Sequence, residues 1–165
     1  MPPPQNEATV TLSVLDRLID LAPDNTAEAT LSAAESKRRL RVSVLENLEW
    51  ILNTRCSVPD PEESLKKLPH SLYLYGLPDV SSYSMKSSED RDRLRERLRS
   101  AITLFEPRLD ILEIKDKKDA ELGSQQQCFH IDAMLLLHSS RVPVSFDAFF
   151  ELRNYACRVG EADAR

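Results

Sequence analysis

Three carboxylates lie close together where a helical sequence pattern gives way to a strand pattern. Glu106 could pair with Asp110 or Glu113, and glycoside hydrolysis needs two carboxyl groups about 5–9.5 Å apart, one of them protonated. Arg108 follows Glu106 with only Pro107 between them, and an ion pair would keep the carboxylate charged. These residues therefore give little support to a muramidase. They favour either a proline-restrained interaction element or an ordinary junction with an exposed ion pair.

A second polar group falls on one predicted strand. Cys128, His130 and Asp132 alternate with apolar residues, so their side chains project from the same face. Three ligands from one strand converge poorly on a tetrahedral metal ion, and His70 and His138 add no ligand spacing. We expect a polar strand face, with no metal or cofactor site.

Other catalytic classes lack their motifs. The sequence has no G-x-S-x-G, G-x-G-x-x-G or Walker motif, and only three glycines. Its three cysteines, Cys56, Cys128 and Cys157, form no CxxC pair, which disfavours a disulfide framework or zinc site and fits a reduced cytosolic compartment. A net charge of −5 makes nucleic-acid binding an unfavourable hypothesis.

Arginines recur at alternate positions in one predicted helix: Arg91, Arg93, Arg95, Arg97 and Arg99. Acidic residues are interleaved with them, and pairs four residues apart, such as Glu89 with Arg93, would neutralise each other. A solvated helix face is the first interpretation, and a surface for an acidic partner is the second.

Two helices and three strands are predicted. Apolar residues recur with helical spacing over about 37–55 and 88–105, and they alternate over 109–114, 128–137 and 146–152. Short connections favour an antiparallel meander with the helices on its apolar face. The fold class is therefore α+β, a single domain of two main helices packed on a three-stranded antiparallel sheet.

The chain divides into three predicted segments. Residues 1–36 form a flexible extension with a short amphipathic segment, residues 37–157 form the domain, and residues 158–165 form a tail. The start of the chain lacks the features of a signal peptide, and no apolar run is long enough to enter a bilayer. Trp50 lies at the edge of an apolar helix stripe and is predicted to be mostly buried, with Trp50→Ala costing about 3–5 kcal/mol.

Three segments, in this order, resemble the TssE family, the baseplate wedge subunits of type VI secretion systems within the lysozyme-like wedge proteins of contractile phage tails. They are Leu48-Glu49-Trp50-Ile51-Leu52-Asn53-Thr54-Arg55, Tyr75-Gly76-Leu77-Pro78-Asp79 and Leu104-Phe105-Glu106-Pro107-Arg108-Leu109. The resemblance gives the first two segments the role of a structural motif.

The resemblance implies a non-enzymatic subunit in the cytoplasm, within a membrane-docked secretion machine. It implies that Glu106, Pro107 and Arg108 dock on the wedge core of TssF and TssG, in a baseplate that also contains TssK. It also implies a role in starting assembly of the TssB/TssC sheath. We expect both charged side chains at the surface of the isolated domain. The alternative is a peptidoglycan-cleaving muramidase of a contractile tail baseplate.

Overall fold

The structure is a computed structural model that describes residues 13–14, 18–19, 32–56, 65, 67–68, 71–79, 83–84, 86–117, 126–137, 140–151 and 156–162. Its helices are α1 (Ala33–Asn53) and α2 (Ser88–Phe105), and a 3₁₀ turn covers Leu72–Leu74. Its strands are β1 (Arg55–Cys56), β2 (Leu77–Pro78), β3 (Leu109–Lys117), β4 (Gln126–Leu136), β5 (Arg141–Glu151) and β6 (Ala156–Glu161). Most of the predicted N-terminal extension lies outside the described residues.

The first helix begins at a serine cap. Ser32 accepts a hydrogen bond from the backbone N–H of Glu35 at 3.2 Å, which satisfies an otherwise unpaired donor of the first turn. The helix starts at Ala33, ahead of the predicted boundary at residue 37, because Ser36 is buried and bonded back to Ser32. Its apolar side chains face the core at Leu40, Val44, Leu48, Ile51 and Leu52.

The second helix has the predicted limits. Ser87 accepts a hydrogen bond from the backbone N–H of Asp90 at 3.3 Å and caps the start. The helix ends at Phe105, because Pro107 disfavours the helical conformation at the residue before it. The predicted stripe is buried at Leu94, Leu98, Ala101 and Ile102.

The large sheet contains four antiparallel strands in the order β3-β4-β5-β6. The α+β class is confirmed, but the prediction of three strands is wrong. The missed strand, β6, has six residues, includes Gly160, and turns only Cys157 and Val159 towards the core. So short an apolar pattern gives almost no strand signal. Because β6 ends at Glu161, it runs past the predicted tail boundary at residue 157.

The inner face of the sheet carries the predicted alternation. Ile131 of β4 lies opposite Phe146 of β5, and both are buried. Their neighbours on the same face are also buried: Phe129, Ala133 and Leu135 in β4, and Val144, Ala148 and Phe150 in β5. These side chains form one core with the apolar faces of α1 and α2. In the described part of the chain, no helix is long and apolar enough to cross a membrane.

The prediction that Trp50 is buried is wrong, since the residue is 71% exposed. Trp50 is two residues from Leu48 and two from Leu52, both of which are buried. An α-helix turns by about 100° per residue, so the indole lies about 160° around the helix from each of them. The size of the side chain suggested burial, whereas its position on the helix dictates exposure.

Candidate functional site

The Glu106 carboxylate is enclosed at the corner between α2 and β3. The residue has 0% exposure, although it directly follows the helix. Its Oε1 accepts a hydrogen bond from Nε of Arg108 at 2.6 Å, and its Oε2 accepts one from Nη2 at 2.6 Å. Nδ2 of Asn47 also donates to Oε2, at 2.7 Å. The expectation that Glu106 lies at the surface is therefore wrong.

Arg108 lies on the solvent side of the Glu106 carboxylate and also contacts α1. Its Nη1 donates to Oγ of Ser43 in α1 at 3.0 Å, and 26% of its side chain stays exposed. We call the group of Ser43, Asn47, Glu106 and Arg108 the clasp. The clasp connects α1 to the start of β3. The ion pair of Glu106 and Arg108 is therefore part of the folded structure, unlike an exposed surface ion pair.

Pro107 forms the exposed tip of the corner. Its ring fixes the backbone between the two charged residues, and Leu109 N–H returns to the carbonyl of Glu106 at 3.0 Å. The corner is therefore held by side chains beneath it and by the backbone around it. A surface organised in this way loses little conformational entropy when a partner binds.

The second family segment reaches the clasp through Tyr75. The rings of Tyr75 and Phe105 meet edge to face, with centroids 5.0 Å apart and planes at 69°. Burial and the negative charge of Glu106 raise the pKa of the Tyr75 phenol above its usual value. The aromatic pair therefore lies beside the enclosed carboxylate and helps to exclude water from it.

Gly76 allows the first and second segments to join. Its φ is +102°, and a Cβ at this position would lie 2.2 Å from the carbonyl oxygen of Thr54. The close approach lets Leu77 donate to that same oxygen at 2.9 Å, and Arg55 pairs with Leu77 in a short parallel ladder. Glycine is the residue that tolerates both this backbone conformation and this proximity.

Asn53 has a different task in the first segment. Its Oδ1 accepts from the backbone N–H of Cys157 at 2.8 Å, and its Nδ2 donates to the Cys157 carbonyl at 2.8 Å. Glu49 accepts from the N–H of Val159 at 3.1 Å. These bonds satisfy backbone groups at the outer edge of β6, where an unpaired strand would otherwise be open to another chain.

Other members of the motif have simpler roles. Leu52 is buried in the core, and Thr54 ends α1 with its hydroxyl bonded to the Trp50 carbonyl at 2.7 Å. Pro78 pairs with Cys56 in the parallel ladder, and Asp79 is exposed just beyond it. The contacts described for the first two family segments are thus made within the fold.

The outer face of the large sheet is polar, with His130 at its centre. His130 Nδ1 lies 2.7 Å from Asp147, and Nε2 lies 3.2 Å from Asp132. Lys117 contacts the other oxygen of Asp147 at 2.6 Å, and the Ser145 hydroxyl donates to Asp132 at 2.7 Å. The contacts join β3, β4 and β5 across the face.

Cys128 is buried two residues before His130. Across the described residues, no group of three or more His, Cys, Asp or Glu side chains is arranged to hold a metal ion. His70 and His138 lie outside the part that the structure describes. The three cysteines, Cys56, Cys128 and Cys157, all lie in the described part of the chain and form no disulfide bond there. Burial raises the pKa of the Cys157 thiol far above its usual value.

Three arginines of α2, Arg91, Arg93 and Arg95, are paired with carboxylates. The predicted pair of Glu89 and Arg93 is confirmed at 2.6 Å. Sequence reasoning missed Asp116 of β3, which binds Arg91 at 3.2 Å and Arg95 at 3.0 Å. These two arginines therefore fasten α2 to the sheet, which weakens the hypothesis of a basic surface for an acidic partner.

Comparison with known proteins identifies the family. The family model described as baseplate wedge protein gp25 matches residues 38–140, from α1 to the end of the β4–β5 connection. The chain belongs to this family. No curated protein and no solved structure gives a significant match.

Membership in the gp25 family gives the chain a structural role in the baseplate of a phage tail-like system. It also implies contact with other baseplate proteins. The geometry of Glu106 agrees with a structural role, because an enclosed carboxylate bonded to Arg108 and Asn47 is not presented to a saccharide.

Proposed function

We propose that the chain is the non-enzymatic TssE-type wedge subunit of a type VI secretion baseplate, and that it docks on the TssF–TssG core through the corner at residues 106–108. The family match supports a baseplate subunit. The observation that supports this docking site is the clasp. It holds an exposed proline and a partly exposed arginine in a fixed position against α1.

The clasp changes the chemistry of the proposed contact. Glu106 and Arg108 already neutralise each other, so the partner need not supply an opposite charge to either. What the corner offers is the Pro107 ring, the exposed part of the Arg108 guanidinium and a fixed backbone. A partner gains from such a surface because little of it has to be ordered on binding.

The remaining parts of the proposal follow from the family resemblance. The subunit functions in the cytoplasm, in a baseplate that also contains TssK, and helps the sheath proteins TssB and TssC to begin assembly. It needs no cofactor and binds no nucleic acid.

Co-purification of the tagged chain with TssF and TssG tests the proposal. The parent chain should retain both proteins, whereas Pro107→Asp should lose them, because it places a charge at the tip of the contact. Pro143→Asp is the matched control, since Pro143 is another exposed proline, on β5. Equal retention of TssF and TssG by both variants, with unchanged melting temperatures, would count against docking through this corner.

A peptidoglycan turbidity assay separates the structural role from the muramidase alternative. The purified chain should leave the suspension turbid, because Glu106 is enclosed and paired. Clearing that Glu106→Gln abolishes while the fold remains intact would show an enzyme instead.

A further inference from the structure

Trp50 is the only tryptophan in the chain, and most of its side chain faces solvent. An indole is the largest apolar side chain available, and 71% exposure leaves it with little role in the core. Tryptophan is also over-represented among the few residues that supply most of the binding energy at protein interfaces. The position of the residue on α1 decides where such an interface would be.

Trp50 shares a helix stripe with two members of the clasp. Ser43, Asn47 and Trp50 follow each other at spacings of four and three residues, which brings side chains to the same side of a helix. Ser43 binds Arg108, and Asn47 binds Glu106. The stripe therefore leads from the corner at residues 106–108 along α1 to the exposed indole.

The three residues of the stripe are uncharged, but the exposed carboxylate of Glu46 lies one turn before Trp50 and about 40° around the helix from it. The members of the stripe are a hydroxyl, an amide and an indole, and the two charges of the clasp compensate each other at 2.6 Å. An acidic partner surface would be repelled by Glu46 and would lose its hydration. An apolar pocket with an acceptor for the indole N–H fits the stripe instead.

We propose that Trp50 is the apolar anchor of the docking surface, and that it inserts into an apolar pocket, lacking acidic groups, of the same wedge partner that receives residues 106–108. The proposal rests on the proposed function, because it takes the corner as the beginning of the interface. The rigid indole brings a large contact area with only two rotatable side-chain bonds, so little entropy is lost on insertion.

Affinity measurements with the purified TssF–TssG complex test the anchor. Trp50→Ala should melt at the parent temperature but bind at least about 30-fold more weakly, the effect of a hot-spot residue. Val42→Ala is the matched control, because Val42 is an exposed apolar residue of the same helix that lies about two turns before Trp50 and about 80° around the helix from it. It should bind within about threefold of the parent, since contacts outside the hot spot are nearly neutral.

Spectroscopy provides a readout that a merely structural role would not change. Because the chain has one tryptophan, 5-hydroxytryptophan can be placed at position 50 alone and excited separately from the partner's tryptophans. Its emission should match exposed indole in the free chain and shift to the blue when the complex is added.

The outcomes separate the two proposals. Parent-like binding by Trp50→Ala, or unchanged emission in a complex that does form, would overturn the anchor and leave the proposed function standing. A large fall in melting temperature of Trp50→Ala would also overturn it, by making the residue structural. Failure of the parent chain to bind the complex would remove the proposed function and the anchor together.

Discussion

Glu106 is an acid that the fold encloses together with its counter-charge. Removing two charges from water costs several kcal/mol, and only good geometry and further hydrogen bonds compensate for that cost. Arg108 provides the geometry by binding both carboxylate oxygens, while Asn47 and Ser43 provide further bonds. Removing Glu106 alone is costly, because the charged Arg108 guanidinium then stays at a partly buried site without its carboxylate.

The Glu106→Ala variant should therefore lose about 3–5 kcal/mol of unfolding free energy, the usual cost of removing one member of a buried pair. Urea titration measures the loss. Glu113→Ala is the control, because the Glu113 side chain is 55% exposed and its carboxylate pairs with a surface lysine, Lys115. It should change stability by less than about 0.5 kcal/mol. A loss below about 1 kcal/mol for Glu106→Ala would show that the clasp does not stabilise the fold.

Gly76 and Gly160 form a matched pair of substitution sites. Gly76→Ala should cost more than about 2 kcal/mol, because the backbone conformation is strained for alanine and the added Cβ meets the Thr54 oxygen at 2.2 Å. Gly160→Ala should be neutral or slightly stabilising, since nothing lies within 4 Å of its added Cβ. Thermal melts of the two variants make the comparison, and equal melting temperatures would contradict the close approach.

At the scale of elements, α1 connects parts of the fold that are far apart in sequence. Its core face packs on the sheet, while Asn53 and Glu49 cover the edge of β6. The clasp joins α1 to the beginning of β3 on another side of the helix. A single helix thus closes one edge of the sheet and supports the corner that we propose as the docking site.

Asn53→Ala should cost about 1–3 kcal/mol, because the N–H and carbonyl of Cys157 lose their side-chain partner. Hydrogen exchange gives the sharper test, since the Cys157 amide should exchange faster while amides in the centre of β4 change less. Glu46→Ala, at an exposed position of the same helix, should leave the Cys157 amide unchanged. Unaltered exchange in Asn53→Ala would mean that the edge is protected by other groups.

Local pattern was sufficient to predict α1, α2 and the strands β3 to β5, because each carries a long enough apolar repeat. It could not predict β6, whose signal is two inward side chains. Local pattern could not predict the clasp either, since Asn47 and Ser43 precede Glu106 by about 60 residues and belong to no distinctive motif. The family resemblance identified the right segments, but their buried bonds follow only from the three-dimensional arrangement.

At the scale of the whole molecule, the outer sheet face links stability to pH through Asp147. Burial acts to raise the pKa of Asp147, but hydrogen bonds from Lys117 and His130 outweigh it and hold the pKa below its usual value. A carboxyl group with a depressed pKa in the folded state stabilises the fold at pH values above its unfolded pKa. That contribution is lost as the pH falls through the folded pKa.

Asp147→Asn should therefore cost about 1–3 kcal/mol at neutral pH, where the charged carboxylate accepts its bonds. The difference from the parent should shrink when the pH falls below the ordinary value of 3.8 for this group. Urea titrations of both proteins over a pH series measure the effect. A difference that stays constant down to the acid limit would show that the charge of Asp147 does not stabilise the sheet.

Site-specific photo-crosslinking in cells tests most directly whether the corner at residues 106–108 faces the wedge core. A photoreactive phenylalanine analogue placed at position 107 should crosslink to TssF or TssG in assembled baseplates, while the same group at position 143 should not. Crosslinks to these proteins from position 143 with none from position 107 would contradict the account and move the docking surface to the outer face of the sheet.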